Sequence, residues 1–81
     1  MLNRLTNTDK KVVGLRQTLK AIDLEQVEEV YLARDCDSHI FHQVERKAHA
    51  RGIPVRVIPN MKGLGKACGI EVSAAVAALI K

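Results

Sequence analysis

Aromatic side chains are nearly absent: Tyr31 and Phe41 are the aromatic residues of an 81-residue chain that has no tryptophan. Proteins that hold single-stranded nucleic acid on a sheet face stack its bases on exposed rings. Two rings, both set among apolar neighbours, argue against that mode. No apolar run approaches the ~20 residues of a membrane span, and no hydrophobic signal region follows Met1. The two cysteines, Cys36 and Cys68, form no Cys-x-x-Cys pair. A disulfide is not expected, and a reducing cytoplasm is the expected location.

Several chemistries are missing as well. GLGKACG, residues 63–69, lacks both the spacing and the Lys-Ser/Thr ending of a phosphate loop, and no dinucleotide fingerprint is present. Cys36, His39 and His42 recur at every third residue, which keeps a zinc-binding domain as a distant alternative. Against it, Cys36 precedes a predicted helix cap and Cys68 falls on a buried stripe. Nothing marks an oxyanion site or a third orienting group for a Cys36–histidine nucleophile. Glu28 and Glu29 point to opposite faces of a predicted strand and cannot work as an acid–base pair. The expectation is a protein that is not an enzyme and carries no metal, cofactor or small-molecule substrate.

What the chain does have is 47 % hydrophobic residues, almost all of them Val, Ile, Leu and Ala, the composition of a tightly layered α/β domain. Residues 1–81 read as one domain, in which a chain of this size buries ~60 % of its unfolded surface. A formal charge of +4 favours polyanion partners. Where the charges sit must decide between such a partner and a merely soluble basic domain.

Along the chain, Leu2 and Leu5 allow a short helix before a turn at Asn7 to Asp9. Val12 and Val13 make a brief β pair, Gly14 follows, and Leu15, Leu19 and Ile22 form one helical stripe. Arg16, Gln17 and Lys20 project together from the opposite side, near a helix start whose N–H groups are free. They read either as a solvated face or as a binding face. Val27 to Ala33 is a strand, and Arg34 and Asp35 follow at its C-terminal end, where open α/β sheets place ligands. Asp37 caps a second helix with Ile40, Phe41, Val44 and Ala48 inward, and His42, Glu45, Arg46 and His49 outward. Gly52 stops it. Val55 to Ile58 is a second strand, ended by Pro59 and Asn60.

The stretch Met61 to Ile80 organises the rest. Met61 to Cys68 predicts a short helix burying Met61, Leu64 and Cys68 and stopped by Gly69. The same segment carries Gly63, Gly65 and Gly69 beside Lys62 and Lys66, which suits a phosphate-bearing partner. Val72 to Ile80 fits either a helix, through its alanines, or a fully buried strand.

GLRQTLK at 14–20 and LGKACGIEVSAA at 64–75 together resemble the kink-turn-binding ribosomal protein family, the seven-Ae and thirty-e group, and especially its short bacterial members. The order and spacing of the two motifs match, and the resemblance covers essentially the whole chain. It implies a three-layer α-β-α sandwich with a four-stranded mixed sheet, in which the final run is a central strand. It also implies an RNA-binding protein that grips a bulge beside tandem sheared guanine·adenine pairs, and a monomer is expected. Arg16, Gln17 and Lys20 would face guanine edges and backbone, with Gly14 letting the partner approach, and Ile70, Glu71 and Val72 would contact the unstacked bulge bases. Arg34, Lys62 and Lys66 add cationic candidates. The archaeal members carry Asn-Glu where this chain has Arg16 and Gln17, which predicts weaker or differently selective binding with a larger share from phosphate attraction. A protein-interaction module on the same fold is the alternative.

Overall fold

The computed structural model describes residues 8–81, so the short helix expected from Leu2 and Leu5 lies outside the described residues. In chain order the elements are β1 (Lys11–Val13), α1 (Leu15–Asp23), β2 (Val27–Ala33), α2 (Ser38–Ala50), β3 (Val55–Ile58), α3 (Met61–Ala67) and β4 (Val76–Ile80). The strands form one sheet in the order β1-β4-β2-β3. β4 runs antiparallel to both neighbours, and β2 pairs with β3 in parallel. The sheet is therefore mixed.

Side-chain alternation builds two cores from that sheet. Val30 and Leu32 of β2, with Val76 and Ala78 of β4, pack under α1 and α2. Tyr31, Ala33, Ala77 and Leu79 face the other way, under Leu64 and Cys68 of the α3 segment. The result is the expected three-layer sandwich, with two helices on one face and one on the other. β4 has no polar side because it lies in the middle with both faces covered. That resolves the ambiguous final run as strand, but with a later start: residues 72–75 run outside the sheet, and Val72 is 69 % exposed.

Two smaller departures follow from packing. The buried line of α1 runs through Thr18, Ala21 and Ile22, while Leu15 and Leu19 are half-buried along its margin. Small side chains on that line let α1 sit close. In β2 the register to β4 slips between Val27 and Glu29, leaving Glu28 as an extra residue. A bulge of this kind changes which face a residue occupies. Val27 joins Val30 and Leu32 in the α1–α2 core, and Glu29 is buried on the Tyr31 side. There the Tyr31 hydroxyl donates to Glu29 Oε1 at 2.6 Å, and Arg56 Nε donates to Oε2.

The helix boundaries follow the local chemistry. Asp37 caps α2 by accepting the His39 N–H at 2.7 Å, and Val44 and Ala48 are fully buried on its inner face. Asn60 caps α3 by accepting the Gly63 N–H at 2.6 Å. No helix among the described residues is long and apolar enough to cross a membrane.

Candidate nucleic-acid interface

Strand directions bring the nominated residues to one end of the sheet. The C-terminal ends of β1, β2 and β3 lie there together with the N-terminal end of β4. From that end depart Gly14 and the start of α1, Arg34 and its turn, the start of α3, and the 70–75 loop. Backbone bonds stitch them together. Gly14 N–H donates to Val76 O at 2.9 Å, Ala33 N–H to Ala75 O at 2.9 Å, and Arg34 N–H to Ile58 O at 2.8 Å.

The three helix starts at this end differ in a way that matters chemically. Asp37 caps α2, and α3 is held twice, by Asn60 and by Asp35 Oδ1, which accepts the Met61 N–H at 2.7 Å. α1 has Gly14 at its N-cap and no side-chain cap. Its first-turn N–H groups, with the positive end of the helix dipole, stay open to a ligand. Gly14 has φ 108° and ψ 158°, a backbone region that essentially only glycine occupies. Arg16 and Gln17 are exposed in that first turn, and Lys20 is exposed one turn further on.

The loop is not free to wander. Ile70 N–H donates to Gly65 O at 3.1 Å, and Ala74 N–H to Met61 O at 3.0 Å, so both ends are tied to α3. Between them the backbone lies on Gly65, where a Cβ would come within 2.1 Å of Val72 O. Glu71 and Val72 project outward and Ile70 packs partly into the core. Lys62, Lys66, Ile70, Glu71, Val72 and Ser73 line one open cleft.

Among the described residues, cations cluster without ion pairs at this end, while several elsewhere are paired. Lys47 pairs with Asp23 at 2.7 Å, Arg51 with Glu25 at 3.8 Å, and Arg56 with Glu29. Among the described residues Arg16, Lys20, Arg34, Lys62 and Lys66 have no such carboxylate partner. Five uncompensated cations around an open helix start create a positive field that attracts polyanions. The groove along the outer face of α2 holds Lys47 and Arg51, both already paired, and Arg46, which has no carboxylate partner among the described residues.

All ten nominated positions lie at or near this end of the fold. Lys62, Lys66 and the loop residues share the cleft, whereas Gly14, Arg16, Gln17 and Lys20 belong to α1. Arg34 is exposed at the end of β2, beside the strand bonded to the loop. Sequence reasoning missed the tie from Asp35 to Met61, which spans 26 residues and leaves no local signal. It also missed the steric role of Gly65. No group of three or more His, Cys, Asp or Glu among the described residues could hold a metal ion. Burial, with Asp35 and Asp37 alongside, raises the Cys36 thiol above its ordinary value, and burial raises that of Cys68 against the opposing charge of Lys11. Neither thiol is an activated nucleophile.

The sequence profile of the ribosomal protein L7Ae/L30e/S12e/Gadd45 family matches residues 1–81. The chain belongs to this family. An RNA-binding protein of Halalkalibacterium halodurans is 47 % identical over 70 residues, covering 86 % of this chain and 85 % of the relative. The RNA-binding protein YbxF of Geobacillus stearothermophilus is 36 % identical over 78 residues, covering 96 % and 95 %. Among solved structures, the Giardia lamblia 15.5kD RNA binding protein superposes with a TM-score of 0.88 at 25 % identity, covering 99 % of this chain and 68 % of that one. These L7Ae-family relatives are named as RNA-binding proteins and not as enzymes.

Proposed function

We propose that this chain is a non-enzymatic RNA-binding protein that recognises and stabilises kink-turns in structured RNA, through a single domain of residues 1–81. It acts as a cytoplasmic monomer, with ribosomal RNA as one candidate host of the motif. The observation that carries the reading is the end of the sheet where an uncapped α1 start, five unpaired cations and a tethered apolar loop converge. The names of the relatives point the same way.

The roles follow from side-chain chemistry. Regular RNA duplex hides its base edges in a deep, narrow groove, so a reader of those edges needs a distorted region. Arg16 can donate two parallel hydrogen bonds to guanine O6 and N7, and Gln17 offers both a donor and an acceptor. The first-turn N–H groups behind Gly14 and the charges of Lys20, Arg34, Lys62 and Lys66 meet phosphates. Ile70 and Val72 offer apolar surface to an unstacked base, and Glu71 can accept from a base amino or imino group. Binding selects the bent conformer by its greater affinity for it.

The test is a fluorescence titration against one kink-turn RNA and the same RNA with its sheared guanine·adenine pairs made Watson–Crick. The expected result is tight binding to the first and its loss on the second. Lys20→Ala should weaken every RNA alike and flatten the salt slope by ~1, whereas Arg16→Ala should relax base preference by ~1–3 kcal/mol. Equal, weak, salt-sensitive binding to both RNAs by the unaltered protein would reject the reading.

A further inference from the structure

Asp35 occupies the place in an α/β fold where a ligand-contacting carboxylate is expected, yet its geometry gives it another task. Its Oδ1 accepts the Met61 N–H at 2.7 Å, joining the turn after β2 to the first residue of α3. The carbonyl of the same Met61 accepts the Ala74 N–H at 3.0 Å. One peptide neighbourhood thus receives Asp35 on one side and holds the far end of the 70–75 loop on the other. Four residues along α3, the Gly65 carbonyl holds the near end through Ile70 N–H. Both loop ends hang on α3, and Asp35, with the Asn60 cap, holds the start of that helix.

We infer that Asp35 is a positioning residue for RNA recognition: it acts through Met61 to hold the loop tip, Glu71 and Val72, at the level of the α1 start, without touching RNA. This rests on the RNA-binding reading proposed above. Local sequence supports the division of labour. Arg34, immediately before, is exposed at the same end and free of a carboxylate partner, so adjacent residues serve contact and support. Turned to a helix start, the Asp35 charge is favoured and partly offset by the positive end of the helix. Because Asp35 and Asn60 already occupy the α3 N-terminus, phosphates near α3 are met by Lys62 and Lys66 side chains.

The test compares Asp35→Ala with Asp35→Asn, which keeps an acceptor oxygen and loses the charge. In the RNA-free protein, amide hydrogen exchange of Ile70 and Ala74 should accelerate in Asp35→Ala by about five- to tenfold, the factor for one lost intramolecular hydrogen bond. Asp35→Asn should stay within about twofold of the unaltered protein. With a kink-turn RNA carrying 2-aminopurine in its bulge, Asp35→Ala should lose the bulge fluorescence change and bind about five- to tenfold more weakly, with an unchanged salt slope. Asp35→Asn should restore both. A role in general stability alone would lower the melting temperature without separating the bulge signal from the salt slope.

Two outcomes would overturn the inference. The first is unchanged exchange at Ile70 and Ala74 in Asp35→Ala. The second is tighter RNA binding with a steeper salt slope in both variants, which would make Asp35 simply a repulsive charge. If the unaltered protein fails to distinguish bent from fully paired RNA, the kink-turn reading falls, and the exchange measurement alone decides whether Asp35 sets the loop.

Discussion

Replacing Gly65 by alanine puts the loop and the helix in direct conflict. The new Cβ would lie 2.1 Å from Val72 O and 3.0 Å from Ser73 Cα, both backbone atoms. Ordinary contact begins at 3.4 Å, so Val72 O must retreat by about 1.3 Å if only the loop yields. Alanine in mid-helix favours α3 by up to about 1 kcal/mol, and the overpacking costs about 1–3 kcal/mol. The fold should survive, with net destabilisation of about 0–3 kcal/mol. Binding should not. Val72 is 69 % exposed, and the part of its side chain that a bulge base can cover is worth about 1–2 kcal/mol. Misplacing it should weaken affinity by roughly five- to thirtyfold. Gly63→Ala is the comparison in the same helix: its Cβ meets Asn60 Oδ1, the α3 cap acceptor, at 3.0 Å, so it strains the cap by a few tenths of an ångström and does not meet the loop. Titration of both variants with the kink-turn RNA, alongside thermal melts, decides the matter. Unaltered affinity in Gly65→Ala would refute the idea that loop position governs recognition.

Gly14→Ala should cost about 1–3 kcal/mol of stability, because φ 108° with ψ 158° strains any other residue; denaturant melts will show it. Thr18→Val should be neutral or stabilising by up to about 1 kcal/mol in the same assay, since the fully buried Thr18 Oγ1 has no hydrogen-bond partner. Both cysteine thiols have raised pKa values, so maleimide labelling at neutral pH should be slow and should speed up as pH rises, with the half-buried Cys36 ahead of the buried Cys68. Deprotonation comes more easily in the unfolded chain. Stability contributed by these groups is therefore intact below the unfolded thiol value and is lost as pH climbs from there through the raised folded value.

Much of the architecture is legible because local chemistry and tertiary position agree. β2 and β3 combine β-branched residues with clear turn signals, and the Asp37 and Asn60 caps lie next to the helices they start. β4 is legible as apolar but not as strand, since a centre strand covered on both faces shows no alternation. Its start at Val76 is hidden because Val72 looks like core and is held out by the backbone lying on Gly65. For the candidate site, residue types and spacing nominate the cations. Spacing does not reveal which cations lack partners, since Lys47, Arg51 and Arg56 look no different until Asp23, Glu25 and Glu29 are placed beside them. Asp35 reads as a ligand-end carboxylate, and its true partner lies 26 residues away.

The strand order has a consequence for when the protein becomes functional. β1 and β2 are not neighbours; β4 stands between them and pairs with both. During synthesis, β2, α2 and β3 can associate through their parallel pairing, while β1 and the α1 start wait for a strand more than 60 residues downstream in the chain. Only when β4 inserts does Gly14 acquire its bond to Val76 and the 70–75 loop its place beside α1. β4 thus both fills the centre of the sheet and ties down Gly14, so a chain in which β4 has not yet inserted should lack the proposed RNA site as well as the finished core.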